Sequence, residues 1–196
     1  VKHLIREMQK IAGDTFPKNI KVEIVVENVR PILGDSTQIH QILLNLCVNA
    51  RDAMPAGGNI LITCDDVTLT PADAQKFIGA KPIPYVVVSV ADTGTGIPPE
   101  IIDRIFEPFF TTKEIGKGTG LGLSSVLSII KSHGGFLDLQ SQVGKGTSFN
   151  VYLPAAEMKT TSLSSAALPT DLRGKGELDM VVDDEAGVRE VTLALV

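Results

Sequence analysis

Two asparagines one helical turn apart, Asn45 and Asn49, a carboxylate that closes an apolar run, Asp92, and two glycine clusters, Gly94–Gly96 and Gly118–Gly122, are the residues whose types and spacing could do chemistry. An asparagine offers a cation a neutral oxygen and an anion an N–H donor. Asp92, at the end of the apolar run Tyr85 to Val90, is held at a pocket rim, where the missing side chains of Gly94 and Gly96 allow a ligand close to the backbone. The second cluster, Gly118, Thr119, Gly120, Leu121, Gly122, opens into a helical pattern whose free N–H groups and positive dipole end favour a phosphate. Lys113 and Lys117 stand between the clusters, each open to being a phosphate contact or a solvated surface charge. Together these features point to a nucleotide site. The spacing matches neither GxxxxGK[ST] nor a GxGxxG set directly between strand and helix, and glycine counts alone leave a structural turn and a ligand loop both open.

The elements that must position these residues follow from periodicity. Asp35 is an N-cap with Gln38 three residues on, and it starts a helix through Met54 that Pro55, Gly57 and Gly58 terminate. At 100° per residue, Ile39, Ile42, Leu43, Leu46, Ala50 and Ala53 form one apolar face. Gln38, Gln41, Asn45, Asn49 and Asp52 form a narrow polar stripe, bordered by Leu44 and Val48. Asparagines so flanked are partly buried and need partners, which could be structural hydrogen bonds or a shared ligand. Elsewhere the pattern predicts a short helix over Leu4–Ile11 and strands at Val22–Val26, Ile60–Val67 and Tyr85–Asp92. Pro71–Phe77 is a loop or short helix, Glu100–Phe106 a short helix, and Leu121–Ser132 a helix closed by Gly134 and Gly135. A hairpin follows, Phe136–Ser141 and Ser148–Leu153, turning at Gly144 and Gly146. Such short alternating units predict an α/β two-layer sandwich, helices covering one face of a mixed sheet.

The chain has 196 residues, 43% of them hydrophobic, enough for one ordinary domain plus a tail. No apolar run reaches membrane-spanning length and the first residues lack a secretory apolar block, so no membrane contact is expected. The net charge of −5, with no basic stripe, argues against nucleic acid. Cys47 and Cys64 lack metal-ligand spacing and read as reduced core thiols, which fits a cytoplasmic setting, with or without a membrane anchor elsewhere in a parent protein. Composition shifts after Pro154: residues 155–176 read as a linker and 177–196 as a separate segment.

Five segments, NLCVNARDAM (45–54), DTGTG (92–96), FEPFF (106–110), GTGLGLS (118–124) and GKGTSF (144–149), together resemble the catalytic ATP-binding domain of sensor histidine kinases, in order and separation. The resemblance implies the Bergerat ATP-binding fold over residues 1–154, with ATP and Mg2+ as ligands. It makes Asn49 the metal ligand and Asp92 the acceptor for the adenine amino group, with Gly94, Gly96 and Ile97 beside the base and Thr147 behind Asp92. It makes Gly118, Gly120 and Gly122, with Thr119 and Leu121, the hinge of a mobile lid whose start Phe106, Phe109 and Phe110 anchor; Lys113 and Lys117 could then meet the phosphates. Many such kinases have a basic residue three positions after the metal-binding Asn, where this chain has Asp52 next to Arg51, so the roles of those two are open.

Hydrolases of the same fold, such as the gyrase, chaperone and mismatch-repair ATPases, carry a Glu general base where this chain has Asn45, and an amide cannot take a proton from water. A kinase module is therefore expected over a hydrolase or a non-catalytic binding domain. None of His3, His40 and His133 has the context of a phosphoacceptor, so the γ-phosphate is expected to go to a histidine on a separate dimerisation domain. Autophosphorylation of this chain alone is not expected. Residues 177–196, ending the strand-like Leu178–Val182 in Asp183 and Asp184, resemble the opening of a receiver domain. The implied partners are therefore the dimerisation domain of a parent kinase and a receiver, its own or that of a separate response regulator.

Overall fold

The structure is a computed structural model that describes residues 1–77, 79–113 and 118–156, all within the unit Val1–Met158. Lys117, most of the expected linker and the receiver-like segment 177–196 lie outside the described residues. The chain forms α1 (Lys2–Thr15), β1 (Ile20–Val26), α2 (Ser36–Asp52), β2 (Gly58–Thr68), α3 (Pro71–Ala74), β3 (Pro84–Asp92), α4 (Gly122–Ser132), β4 (Phe136–Gln142) and β5 (Gly146–Pro154). The five strands make one mixed sheet in the order β1-β2-β3-β5-β4. The one parallel pair, β1 with β2, needs a crossover, and α2 supplies it. The other pairs are antiparallel, with β3 in the middle.

Alternation sorts each strand between layers. Ile60, Ile62 and Cys64 of β2 face a core shared with Ile5 and Met8 of α1, Leu43 and Leu46 of α2, and Val126 and Ile130 of α4. The expected sandwich of helices on a mixed sheet is what forms. β3 departs from alternation, with Tyr85, Val86, Val87 and Val88 all buried, because the segment after β2 folds across the other sheet face there. Leu69 and Phe77 meet Tyr85, Phe136 and Tyr152 in a second apolar cluster, in which the Phe136 and Tyr152 rings stack 4.3 Å apart. Cys47 and Cys64 are free and buried, and burial pushes their thiols up to about 12 and about 11.

Two local expectations change. The short helix at Glu100–Phe106 is a 3-10 turn, Pro99–Ile101, followed by turns; Pro98 and Pro99 begin it, and Pro108 disfavours helical backbone at Glu107. α1 runs further than Leu4–Ile11, because Ala12 continues the buried face of Ile5 and Met8. Asp35 does cap α2, its Oδ1 accepting from the N–H groups of Thr37 (2.7 Å) and Gln38 (3.3 Å). Its own N–H, however, donates to His133 Nε2 at 3.2 Å rather than to Gln38. His133 Nδ1 lies 2.8 Å from the Ile129 carbonyl, so the ring ties the end of α4 to the start of α2. Asp35→Ala is expected to cost about 1 kcal/mol. Urea denaturation would check this, and an unchanged midpoint would mean the cap is replaced by water at no cost.

Candidate functional site

A cavity of about 720 Å³ opens between α2, the loop after β3 and the start of α4. The polar stripe of α2 forms one wall, as the 100° periodicity requires once Ile39, Leu43, Leu46 and Ala50 are turned into the core. Asn45 Nδ2 donates to the Gly122 carbonyl at 3.4 Å. Asn49 points the same way: a Cβ at Gly122 would stand 3.7 Å from Asn45 Oδ1 and 4.0 Å from Asn49 Nδ2. The two amides thus face the start of α4, whose N-terminus has no side-chain cap, leaving its first N–H groups to the cavity.

Asp92 sits about one turn further along α2, because the loop behind it is tied to Ala53 at that helix's end by the Thr95 N–H (3.0 Å). Only 9% of Asp92 is exposed, and Oδ1 accepts the Gly94 N–H at 2.7 Å. Burial pushes its carboxyl above the usual range, against the opposing backbone N–H groups of Gly94 and Thr147. Thr147 lies buried behind it, its hydroxyl 2.9 Å from Ser141 Oγ. Ile97 also lines the wall, held by its N–H to Ser141 Oγ (2.8 Å).

Val48, Ile101, Ile105, Leu123 and Phe149 supply apolar walls that the motifs did not single out. Phe149 was within reach, since it lies two residues from Thr147 on the same face of β5. Ile101 and Ile105 were not, because the expected helix there does not form.

The model of the family described as histidine kinase-, DNA gyrase B- and HSP90-like ATPase matches residues 34–157, which carry all these walls. The chain belongs to that ATPase family. Sensor kinase CckA of Brucella abortus (strain 2308) is 44% identical over 179 residues, 86% of this chain and 19% of that protein. The catalytic domain of histidine kinase ThkA matches with a TM-score of 0.64 at 34% identity, over 79% of this chain and 92% of that one. Full-length ShkA in complex with AMPPNP matches with a TM-score of 0.63 at 29% identity, over 79% of this chain and 30% of that one. The chain thus spans less than a third of CckA or of full-length ShkA.

In this member of the ATPase family several glycines are already required by the protein's own packing. Gly96 (φ 70°) would put a Cβ 2.2 Å from the Gln142 carbonyl oxygen, and Gly94 would put one 2.6 Å from that of Ala53. Gly120 (φ 65°) would place one 2.3 Å from the Phe109 carbonyl carbon, because the Phe109 N–H donates to the Gly120 carbonyl (2.9 Å) and closes the base of the loop between them. Phe109 therefore joins the loop by its backbone. The residue is 74% exposed and its φ is +68°, so its side chain does not anchor the loop as expected. Phe110 does line the cavity, under the Arg104 guanidinium 4.5 Å from its ring centroid.

Gly94, Leu121 and Phe109 are off the cavity wall, whereas Gly118, Thr119 and Lys113 are on it. Asp52 is engaged by protein cations: Arg51 Nε and Nη2 reach Oδ1 at 2.8 and 2.7 Å, and Lys113 Nζ reaches Oδ2 at 2.5 Å. Burial alone would raise the Asp52 carboxyl, but Lys113 and Arg51 outweigh it and hold the group below its ordinary range. The histidines stay out of the site. His3 is exposed beside Glu7, both ring nitrogens of His133 are bonded, and His40 Nε2 is buried with no hydrogen-bond partner among the described residues.

Proposed function

We propose that this domain binds ATP–Mg2+ and presents the γ-phosphate to a histidine on a separate dimerisation domain, as the catalytic module of a two-component sensor histidine kinase. The observation that carries this reading is a single cavity with two chemically different parts: a buried carboxylate among apolar walls, and, about one turn along α2, paired amides facing an uncapped helix N-terminus. The first suits a flat base with one exocyclic donor, the second a polyphosphate. Asp92 accepts from the adenine amino group, and Thr147 supports it from behind. Asn49 would hold Mg2+ through its side-chain oxygen. This fits a donor set in which no three His, Cys, Asp or Glu converge among the described residues, because Mg2+ on a nucleotide needs few protein ligands. The ion's contribution is to neutralise phosphate charge. The start of α4 and Lys113 carry the rest of that work.

A kinase is favoured over a hydrolase because Asn45, one turn before Asn49, has no basic lone pair and spends its N–H on Gly122, and the nearby Asp52 carboxylate is paired with Arg51 and Lys113. Phosphoryl transfer needs mostly position and charge stabilisation, so a nucleotide-holding domain separate from its histidine is physically sufficient. A receiver domain, in the same polypeptide or in a response regulator, would take the phosphoryl group onward. Calorimetry with ATP–Mg2+ and GTP–Mg2+ tests the reading. ATP is expected to bind about tenfold or more tightly, since guanine presents a carbonyl where Asp92 needs a donor. Equal affinities would remove Asp92 from its role.

A further inference from the structure

Asp52 lies three residues after Asn49, in the last turn of α2, and both of its oxygens are taken by cations of different character. Arg51 is fixed. Its guanidinium binds Oδ1 through two nitrogens and lies 5.4 Å from the centroid of the Phe16 ring, so it is held from two sides. Lys113 makes one side-chain polar contact among the described residues, at its tip. It belongs to the loop that Phe109 and Gly120 close, and its stem passes against the backbone of Gly118, where a Cβ would come within 3.1 Å of Lys113 Cδ. The three charged groups separate the cavity described above from a second one of about 690 Å³ lined by Asn19, Met54 and Pro55, and they line both.

We propose that Asp52 is a positioning residue that stores Lys113 away from the nucleotide, and that the phosphates of ATP draw Lys113 off it on binding, with Arg51 left behind to keep Asp52 paired. This rests on the functional reading above, in which the phosphates lie beside Asn49. The charge count makes the exchange inexpensive. Two cations share one carboxylate, so when Lys113 leaves, a neutral Arg51–Asp52 pair remains and no partly buried carboxylate faces the incoming phosphates alone. The same count gives Arg51 and Asp52 distinct parts: Arg51 compensates Asp52, and Asp52 competes with the nucleotide for Lys113. Lys113 can make the move because its ammonium is a point charge on a flexible stem, whereas a stacked, two-nitrogen guanidinium would lose its geometry.

A double-mutant cycle on the whole chain separates this exchange from plain repulsion between Asp52 and phosphate. ATP–Mg2+ affinity is measured by calorimetry for the unmodified chain, Asp52→Asn, Lys113→Met and the double variant, with thermal melts to show that all four are folded. Asp52→Asn is expected to tighten ATP–Mg2+ about 2- to 5-fold, the range of a partly exposed ion pair removed as a competitor, and to do nothing in the Lys113→Met background. Equal tightening in both backgrounds overturns the exchange and leaves only repulsion. Weaker binding by Asp52→Asn also overturns it, because Asp52 would then be bracing the loop in its binding form. If the unmodified chain binds no ATP–Mg2+, the functional reading and the exchange fall together; if it binds but the cycle shows no coupling, the exchange alone falls.

Discussion

Asp92→Asn is expected to weaken ATP–Mg2+ binding about 10- to 150-fold, the effect of losing a charge-assisted hydrogen bond of about 1.5 to 3 kcal/mol, while the domain stays folded. The Asn oxygen can still accept the Gly94 N–H, so the loop keeps its tie. Its amide group, however, then meets the adenine amino group donor to donor. The pH dependence carries a distinct sign. Because burial raises the folded pKa of Asp92, its ionised form opposes folding above that pKa, and this cost is relieved as pH falls through it. Asp92→Asn should therefore not lower stability at neutral pH, and it should raise it slightly. ATP affinity runs the other way: it falls as acid protonates Asp92, since the carboxyl then brings a proton to where adenine brings one. Calorimetry over a pH series should show an acid loss in the unmodified chain and a flat profile in the variant. Unchanged affinity in the variant, or the same acid loss, would assign the base to another group.

Gly146→Ala should be the most damaging small substitution in the hairpin, costing about 2 to 6 kcal/mol. Gly146 opens β5 at φ 112°, and a Cβ there would lie 1.9 Å from the Asp92 carbonyl oxygen and 2.8 Å from its carbon. A backbone strain of about 1 to 3 kcal/mol adds to an overpacking cost of about 1 to 3 kcal/mol, and the rigid partner is the central strand. That is a large share of a total stability of about 5 to 15 kcal/mol, so the domain should melt roughly 4 to 24 °C lower. Displacing Asp92 should also cost ATP affinity. Gly144→Ala is the control: it has a similar φ of 77°, but nothing lies within 4 Å of its Cβ. It should show the strain alone. Equal melting shifts at the two positions would mean that the strand end moves aside freely.

The glycine-rich boxes were legible as a site but not in their mechanics. Gly94, Gly96 and Gly120 look in sequence like room left for a ligand; each also admits a neighbouring piece of the protein, and Gly96 and Gly120 line the cavity as well. A glycine records only that something comes close. Phe109 misleads for a similar reason: an aromatic beside another aromatic looks like an anchor, yet its backbone makes the contact and its ring faces outward. The sheet face covered by Leu69 and Phe77 escaped notice because the run Tyr85 to Val88 is equally apolar whether one or both faces are buried.

What the sequence determined by itself is what local periodicity and motif order encode. The turning of Leu43 and Leu46 into the core and of the half-buried Asn45 and Asn49 towards the cavity follows from 3.6 residues per turn, the β4–β5 hairpin from its glycine turn, and the family from five boxes in a set order. Tertiary structure alone decided which distant groups meet: the β1-β2-β3-β5-β4 order, the His133 tie to Asp35, and above all the Lys113 pairing with Asp52, 61 residues away. Spacing along one helix or strand sets which way a side chain faces. What it faces depends on where the chain returns, and no local pattern at Asp52 records that a loop lysine will be there to share it with Arg51.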